Sequence, residues 1–295
     1  MKPAALKIKR ITESVISLPT LPTVVSKMIQ LVDNPKTSAA SLARLIYTDQ
    51  ALTARILKLA NSAYYGFPRE ISTVNMAIVV LGFNTVKEMG LSLSVFDAFK
   101  GAGNDGIFDL SGFWQHSIGC GSAARMIARK FRSQVIGEAF VMGLLHDIGK
   151  VIIKQYMREE FAEIIELTAQ GIEPLDDIEK RIAGETHAQI GAWLAEKWNL
   201  PRLIADAIGF HHAPWDARVN PAIVAIVSLS NYLCHICRIG NSGRVNPIKP
   251  DDRTWNIFRA ASISIQEADI PNLQTEFLLE FDKTESVISF MNEDI

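Results

Sequence analysis

Residues 139–153, Ala-Phe-Val-Met-Gly-Leu-Leu-His-Asp-Ile-Gly-Lys-Val-Ile-Ile, constrain this chain more than any other stretch. A run this apolar reads as a helix hidden on nearly every side, here over residues 137–156. Yet His146, Asp147 and Lys150 stand at its centre. An ionised carboxylate withdrawn from water is costly unless it is paired, hydrogen-bonded or bound to a metal. Chemistry, or its remnant, is therefore expected at this place.

The rest of the chain reads as helical. Apolar residues recur at helical spacing over Val24–Val32, and Asn34-Pro35 stops that helix. Thr37 or Ser38 can cap the next, Asp49 precedes a third, Ser72 or Thr73 caps a fourth, and Asn84 or Thr85 opens a fifth. Residues 101–106, rich in Gly, Asn and Asp, form the best linker candidate. Helical patterns resume over 114–131, 161–170, 178–183, 188–198, 203–211 and 222–237. Residues 240–253 read as a loop, with two final helices at about 254–266 and 272–292. The expected fold is all-α: a helical bundle over 107–240, an additional N-terminal helical subdomain over 1–100, and a C-terminal loop with helices over 241–295.

Composition narrows the function classes. A net charge of −2 offers no global attraction for a polyanion, so no nucleic-acid partner is expected. The longest apolar runs, 76–83 and 222–229, are far shorter than the roughly 18 residues a membrane span needs. The first residues carry charge but no apolar stretch of signal-peptide length. Three cysteines fit a reducing compartment better than a disulfide scaffold. A cytoplasmic protein without membrane contact is the expectation.

Five positions gather chemistry around Asp147. His116 lies in an apolar helix, His187 at a helix start, and His211-His212 close a helix ahead of Pro214. With His146 and Asp147, these imidazoles and one carboxylate suit a divalent metal of the Fe, Mn or Zn range, drawn from several helices into a bundle core. His235 stands outside this pattern. Lys150 shares a helix side with the pair and can hold a phosphate oxygen or a metal-bound water, or can form a salt bridge to Asp147. Gly143 and Gly149 allow close helix approach.

These residues carry a resemblance. The His146-Asp147 pair with distant histidines resembles the HD superfamily of metal-dependent phosphohydrolases, and the fuller pattern resembles its HDOD branch, the HD-related output domain of bacterial signalling proteins. The carriers run from Leu18 to Arg238. They are Leu18-Pro-Thr-Leu-Pro22, Asp49-Gln-Ala-Leu-Thr53, Leu59-Ala-Asn-Ser-Ala63 with Tyr65-Gly66, Ile71–Ile78 with Leu81-Gly82, Phe140–Lys150, His187-Ala-Gln-Ile-Gly191, Trp198-Asn-Leu-Pro201 and His211-His212.

The resemblance implies one or two divalent metals. His116, His146 and Asp147 match the first three core ligands, and Asn231 stands where the family places a final aspartate. A neutral amide there is a poorer ligand. His187, His211 and His212 match the extra ligands of two-metal HD-GYP relatives, but the segment after His212 lacks those relatives' Gly-Tyr-Pro loop. The implied role is a regulatory module acting through signalling proteins in trans. Two rivals stand beside it. One is a metal-dependent phosphohydrolase, with Asp147 and Lys150 as its catalytic groups; the other is a sensor that holds a nucleotide without cleaving it.

Other features have blander readings. Cys234 and Cys237 sit one turn apart on an apolar helix without a second Cys/His pair, which favours core packing over zinc. Arg125, Arg129, Lys130 and Arg132 read as a solvated helix end. Tyr64, Tyr65 and Phe67 suit either an exposed aromatic tip or a packed turn.

Overall fold

A computed structural model describes residues 23–32, 38–61, 67, 69–99, 106–131 and 136–281. Among these residues every regular element is a helix, as the periodicity requires. The chain divides into two compact units, one within Thr20–Gly101 and one within Ala102–Phe281.

The first unit holds α1 (Thr23–Val32), α2 (Ala39–Ile46), α3 (Gln50–Ala60), α4 (Val74–Leu81) and α5 (Phe83–Ala98). Its helix starts follow the expected chemistry. Ser38 accepts from the Ser41 amide, Asp49 from Leu52 and Thr73 from Met76, each satisfying an amide that has no partner within its own helix. The fifth helix departs from expectation, because it begins at Phe83 with Gly82 as its flanking residue and no side-chain cap. Gly82 has φ 92°, a backbone that a residue without Cβ adopts freely, and this turn lets α5 start at once. Asn61 exchanges hydrogen bonds with both backbone groups of Ile71. Leu18–Pro22, Tyr64, Tyr65 and most of the expected linker lie outside the described residues.

The second unit holds α6 (Leu110–Lys130), α7 (Ile136–Leu145), α8 (Ile148–Tyr156), α9 (Arg158–Ala169), α10 (Leu175–Ile182), α11 (His187–Lys197), α12 (Arg202–Phe210), α13 (Pro221–Ile236), α14 (Asp252–Ala260) and α15 (Ile270–Phe281). Helix α6 is the central element and packs against α7, α13 and α15. Two glycines make this possible. A Cβ at Gly143 would sit 2.6 Å from the Cys120 carbonyl oxygen, and one at Gly121 would sit 2.8 Å from that of Phe140. Side chains there would push α6 and α7 apart. Cys234 is core, with its Sγ 3.3 Å from where a Cβ on Gly119 of α6 would lie; Cys237 is only partly covered.

The expected single helix over 137–156 is two. It breaks at His146-Asp147, where Asp147 takes φ −100° and ψ 8° before α8 begins. The apolar pattern hid the break because both pieces are buried, so hydrophobic periodicity continues across it. Beyond 240, α14 packs on α13, and α15 packs on α6 and α13. Arg125 and Arg129 bind Glu280, at 2.9 and 3.5 Å, and Lys130 binds Glu276. Three members of the expected solvated basic patch thus face α15; Arg132 lies outside the described residues. The last helix is described only to Phe281. No described helix is long and apolar enough to cross a membrane.

Candidate metal centre

The break between α7 and α8 places His146 and Asp147 in the middle of the second unit, with exposures of 0% and 1%. The Nδ1–H of His146 donates to the Gly143 carbonyl at 2.7 Å, which turns Nε2 toward Asp147, 3.4 Å away. Asp147 Oδ2 accepts from Lys150 Nζ at 2.6 Å, and the same ammonium donates to the Ser242 carbonyl at 2.9 Å. The salt bridge to Asp147 is thus formed.

Three more histidines meet Asp147 from α11 and the end of α12. His187 Nε2 lies 3.1 Å from Asp147 Oδ1, and His211 Nε2 lies 3.5 Å from the same oxygen. His212 Nε2 lies 3.2 Å from His187 Nε2. Their orientation is held from behind. His211 Nδ1–H donates to the Ile208 carbonyl at 2.8 Å. Glu179 of α10 accepts from both the backbone amide and the Nδ1–H of His187, at 2.9 and 2.6 Å. A carboxylate behind a ligating imidazole fixes its tautomer and strengthens it as a donor.

Close packing sets the depth of this arrangement. A Cβ at Gly149 would lie 1.9 Å from the His187 carbonyl oxygen, so α8 and α11 touch backbone to backbone. After His212 the chain turns back under Asp206, whose carboxylate accepts from the amides of Arg218 and Val219, both at 2.7 Å.

On the other side of Asp147, His116 of α6 approaches with its ring centroid 5.4 Å from that of His146. Its Nε2 lies 3.1 Å from Asn231 Oδ1 on α13. His235, one turn beyond Asn231, has its ring 5.0 Å from His116. It therefore joins the cluster, contrary to its isolation in sequence.

Burial and charge divide the imidazoles into two kinds. Burial depresses His116, with His235 and His146 adding to the effect, and it brings His211 down to about 4. His212 is held low by burial and then by its neighbours His211 and Arg244. These three rings are neutral at neutral pH. Burial also acts to lower His146 and His187, but Asp147 overrides it for the first, at about 9, and Glu179 for the second. Burial would raise Asp147, yet His146 and Lys150 hold it well below the ordinary carboxylate range.

The donor set fits a divalent transition metal. Asp147, His187, His211 and His212 each offer one ligand atom within 4.8 Å of the others, and so do His116, His146 and Asp147. His146 Nε2, His211 Nε2 and Asp147 Oδ1 are buried without a hydrogen-bond partner. Each such atom costs about 1–3 kcal/mol; a cation at the first group would satisfy His211 Nε2 and Asp147 Oδ1, and one at the second would satisfy His146 Nε2. Asp147 belongs to both groups, as a carboxylate able to bridge.

All seven residues expected at the metal site, His116, His146, Asp147, His187, His211, His212 and Asn231, meet here with Lys150. Sequence reasoning missed Glu179, Asp176, Ser242, Arg244 and the contribution of His235. Glu179 carried a signal, because a glutamate on the apolar side of a short helix just ahead of His187 needs a partner. Arg244 carried none, since a loop arginine ordinarily points to water.

The HDOD domain model matches residues 18–214. An uncharacterised protein of Treponema pallidum (strain Nichols) is 26% identical over 223 residues, which is 75% of this chain and 43% of that protein. The chain thus spans less than half the length of that relative. The crystal structure of an HDOD domain protein of unknown function from Geobacter sulfurreducens superposes with a TM-score of 0.76 at 27% identity, covering 93% of this chain and 96% of that one. A structure described as a candidate signal-transduction protein, from Marinobacter aquaeolei, has a TM-score of 0.80 at 21% identity, covering 99% and 67% of the two chains. At that identity the likeness speaks for the fold alone.

Proposed function

This chain belongs to the HDOD family, and from that premise we propose that it is a signalling module whose buried His/Asp centre holds a divalent transition metal and whose output is contact with partner proteins, not turnover. The observation that carries this reading is enclosure. His116, His146, Asp147, His187 and His211 are each exposed by 1% or less, and Asn231 by 6%. His212, with its side chain 12% exposed, is the least covered of the set, and Arg244 stands over it. Lys150, the cation best placed to neutralise a phosphate, is already held by Asp147 and the Ser242 carbonyl.

His146, Asp147, His187, His211 and His212 would hold the metal, with His116 beside them and Asn231 as a weak neutral donor. A bound metal would supply a fixed positive charge in the core, tying α6, α7, α8, α11 and α12 together through their side chains. Asp147 would bridge or orient, and Glu179 would keep His187 aligned. Signalling proteins in trans are the proposed partners.

The second reading, a metal-dependent phosphohydrolase, draws on three buried ligand atoms without a hydrogen-bond partner, divided between two ligand groups that share Asp147. One pair of measurements separates the two. Elemental analysis of protein purified without chelators should find retained Fe, Mn or Zn. Hydrolysis of bis(p-nitrophenyl) phosphate with added Mn²⁺ or Fe²⁺ should not exceed that of Asp147→Ala. Robust hydrolysis lost in Asp147→Ala would overturn the regulator reading, whereas failure to bind Mn, Fe and Zn alike would sink the metal centre.

A further inference from the structure

We propose that residues 239–246, the segment between α13 and α14, are a cationic latch that competes with metal for the His212 end of the centre. The inference rests on the metal reading above and adds a regulator to it.

The segment lies beyond the family match at residues 18–214, and it is fastened to the centre at several points. The Ile239 carbonyl lies 3.4 Å from His116 Nδ1. Ser242 accepts from Lys150 through its carbonyl, and its Oγ lies 3.2 Å from His235 Nε2. Arg244 Nη2 donates to Asp176 at 2.8 Å and to His212 Nε2 at 3.2 Å. The backbone is shaped for this path. Arg238, Gly240 and Gly243 take φ values of 56°, 66° and 77°. A Cβ at Gly240 would fall 2.3 Å from both the Gly112 carbonyl oxygen and the His116 amide, so the segment lies directly on α6 beside His116.

Competition follows from the chemistry of His212. A neutral imidazole has one acceptor nitrogen. Arg244 donates to that nitrogen, so the same lone pair cannot also bind a metal. The guanidinium is permanently charged and its side chain is only 5% exposed. It therefore sets a fixed positive charge beside the ligand group, where a second cation would be repelled. Its contact with Asp176 likewise occupies the carboxylate that stands with Glu179 and His187. Metal on His212 and Arg244 on His212 are alternatives.

Arg244 also has somewhere to go. Its Nε is buried and without a partner, and the side chain lines a cavity of about 280 Å³ with Glu173, Asp176 and Asn246. Glu173, paired with Arg181 at 2.7 Å, places a second carboxylate at that cavity, where Arg244 would share it. Metal capture at His212 would thus send Arg244 outward and loosen Ser242 from Lys150, which changes the surface formed by residues 239–246. In this way the state of a buried centre would reach a partner.

Mn²⁺ titration of the full chain, followed by the electron paramagnetic resonance signal of free Mn²⁺, tests this. Arg244→Gln should bind Mn²⁺ about tenfold tighter than wild type, as expected for removing one charge-assisted competitor, while Arg244→Lys should stay near wild type. In wild-type protein, Mn²⁺ should speed amide hydrogen exchange over residues 240–246 while slowing it over residues 141–152. Unchanged or weaker Mn²⁺ binding in Arg244→Gln, or slower exchange over 240–246, would overturn the latch. The metal reading would survive that result provided wild type binds Mn²⁺ and Asp147→Ala does not. Absence of Mn²⁺ binding in every variant, Arg244→Gln included, would remove both.

Discussion

The two ends of the histidine cluster share Asp147 but differ in what stands behind each ring. At the α11–α12 end, His187 is backed by the Glu179 carboxylate at 2.6 Å, and His212 is approached by Arg244, itself bound to Asp176. At the α6–α13 end, His116 faces the neutral amide of Asn231 at 3.1 Å, with His235 beside it. One end is rich in charge and balanced by the protein's own cations. The other has none of its own beyond what Asp147 and its ion pair supply. A divalent cation is favoured by anionic donors and by carboxylates behind its imidazoles, so the first end should bind metal more strongly and the second only weakly. The first end is also where an internal competitor is needed, which is where Arg244 sits.

Three substitutions break or sharpen this contrast, in order of expected effect. Asp147→Ala removes the residue common to both ends and strands Lys150 and His146 in the core. Loss of one partner from a buried ion pair costs about 3–5 kcal/mol, so the protein should melt at clearly lower temperature and retain no metal; metal retained at the wild-type level would rule out Asp147 as the shared ligand. Glu179→Gln weakens only the charged end. Metal affinity should fall roughly 10–100-fold, the usual penalty for losing a carboxylate behind a ligating histidine, and calorimetric titration would read it. An unchanged affinity would mean that metal sits at the His116 end. Asn231→Asp strengthens the other end by placing a carboxylate next to His116. Mn²⁺ or Fe²⁺ should bind about tenfold tighter or with a second equivalent, and a flat response would show that position 231 does not face the metal.

Much of this centre is legible in the residues. His146-Asp147 announces itself because a carboxylate inside an apolar run is costly. His116, His187, His211 and His212 follow because imidazoles in apolar segments, repeated around one buried carboxylate, need a common reason. The split of the 137–156 run into α7 and α8 escaped, since burial on both sides of the break erases the periodicity that would mark it. His235 escaped because its proximity to His116 depends on how α13 lies along α6, a long-range packing outcome. Glu179 and Arg244 escaped because their roles are set by partners eight and 32 residues away in sequence.

What the sequence determined by itself is local and compositional: helical periodicity, helix starts near residues 38, 49 and 73, and the set of side chains that could ligate a metal. These follow from hydrogen-bonding and burial rules that act within a few residues. What only the tertiary structure decided is which charges meet. Lys150 meets the Ser242 carbonyl as well as Asp147, and Arg244 meets His212 and Asp176. Long flexible side chains reach many partners, and the choice among them is made by packing from distant segments that no local pattern encodes.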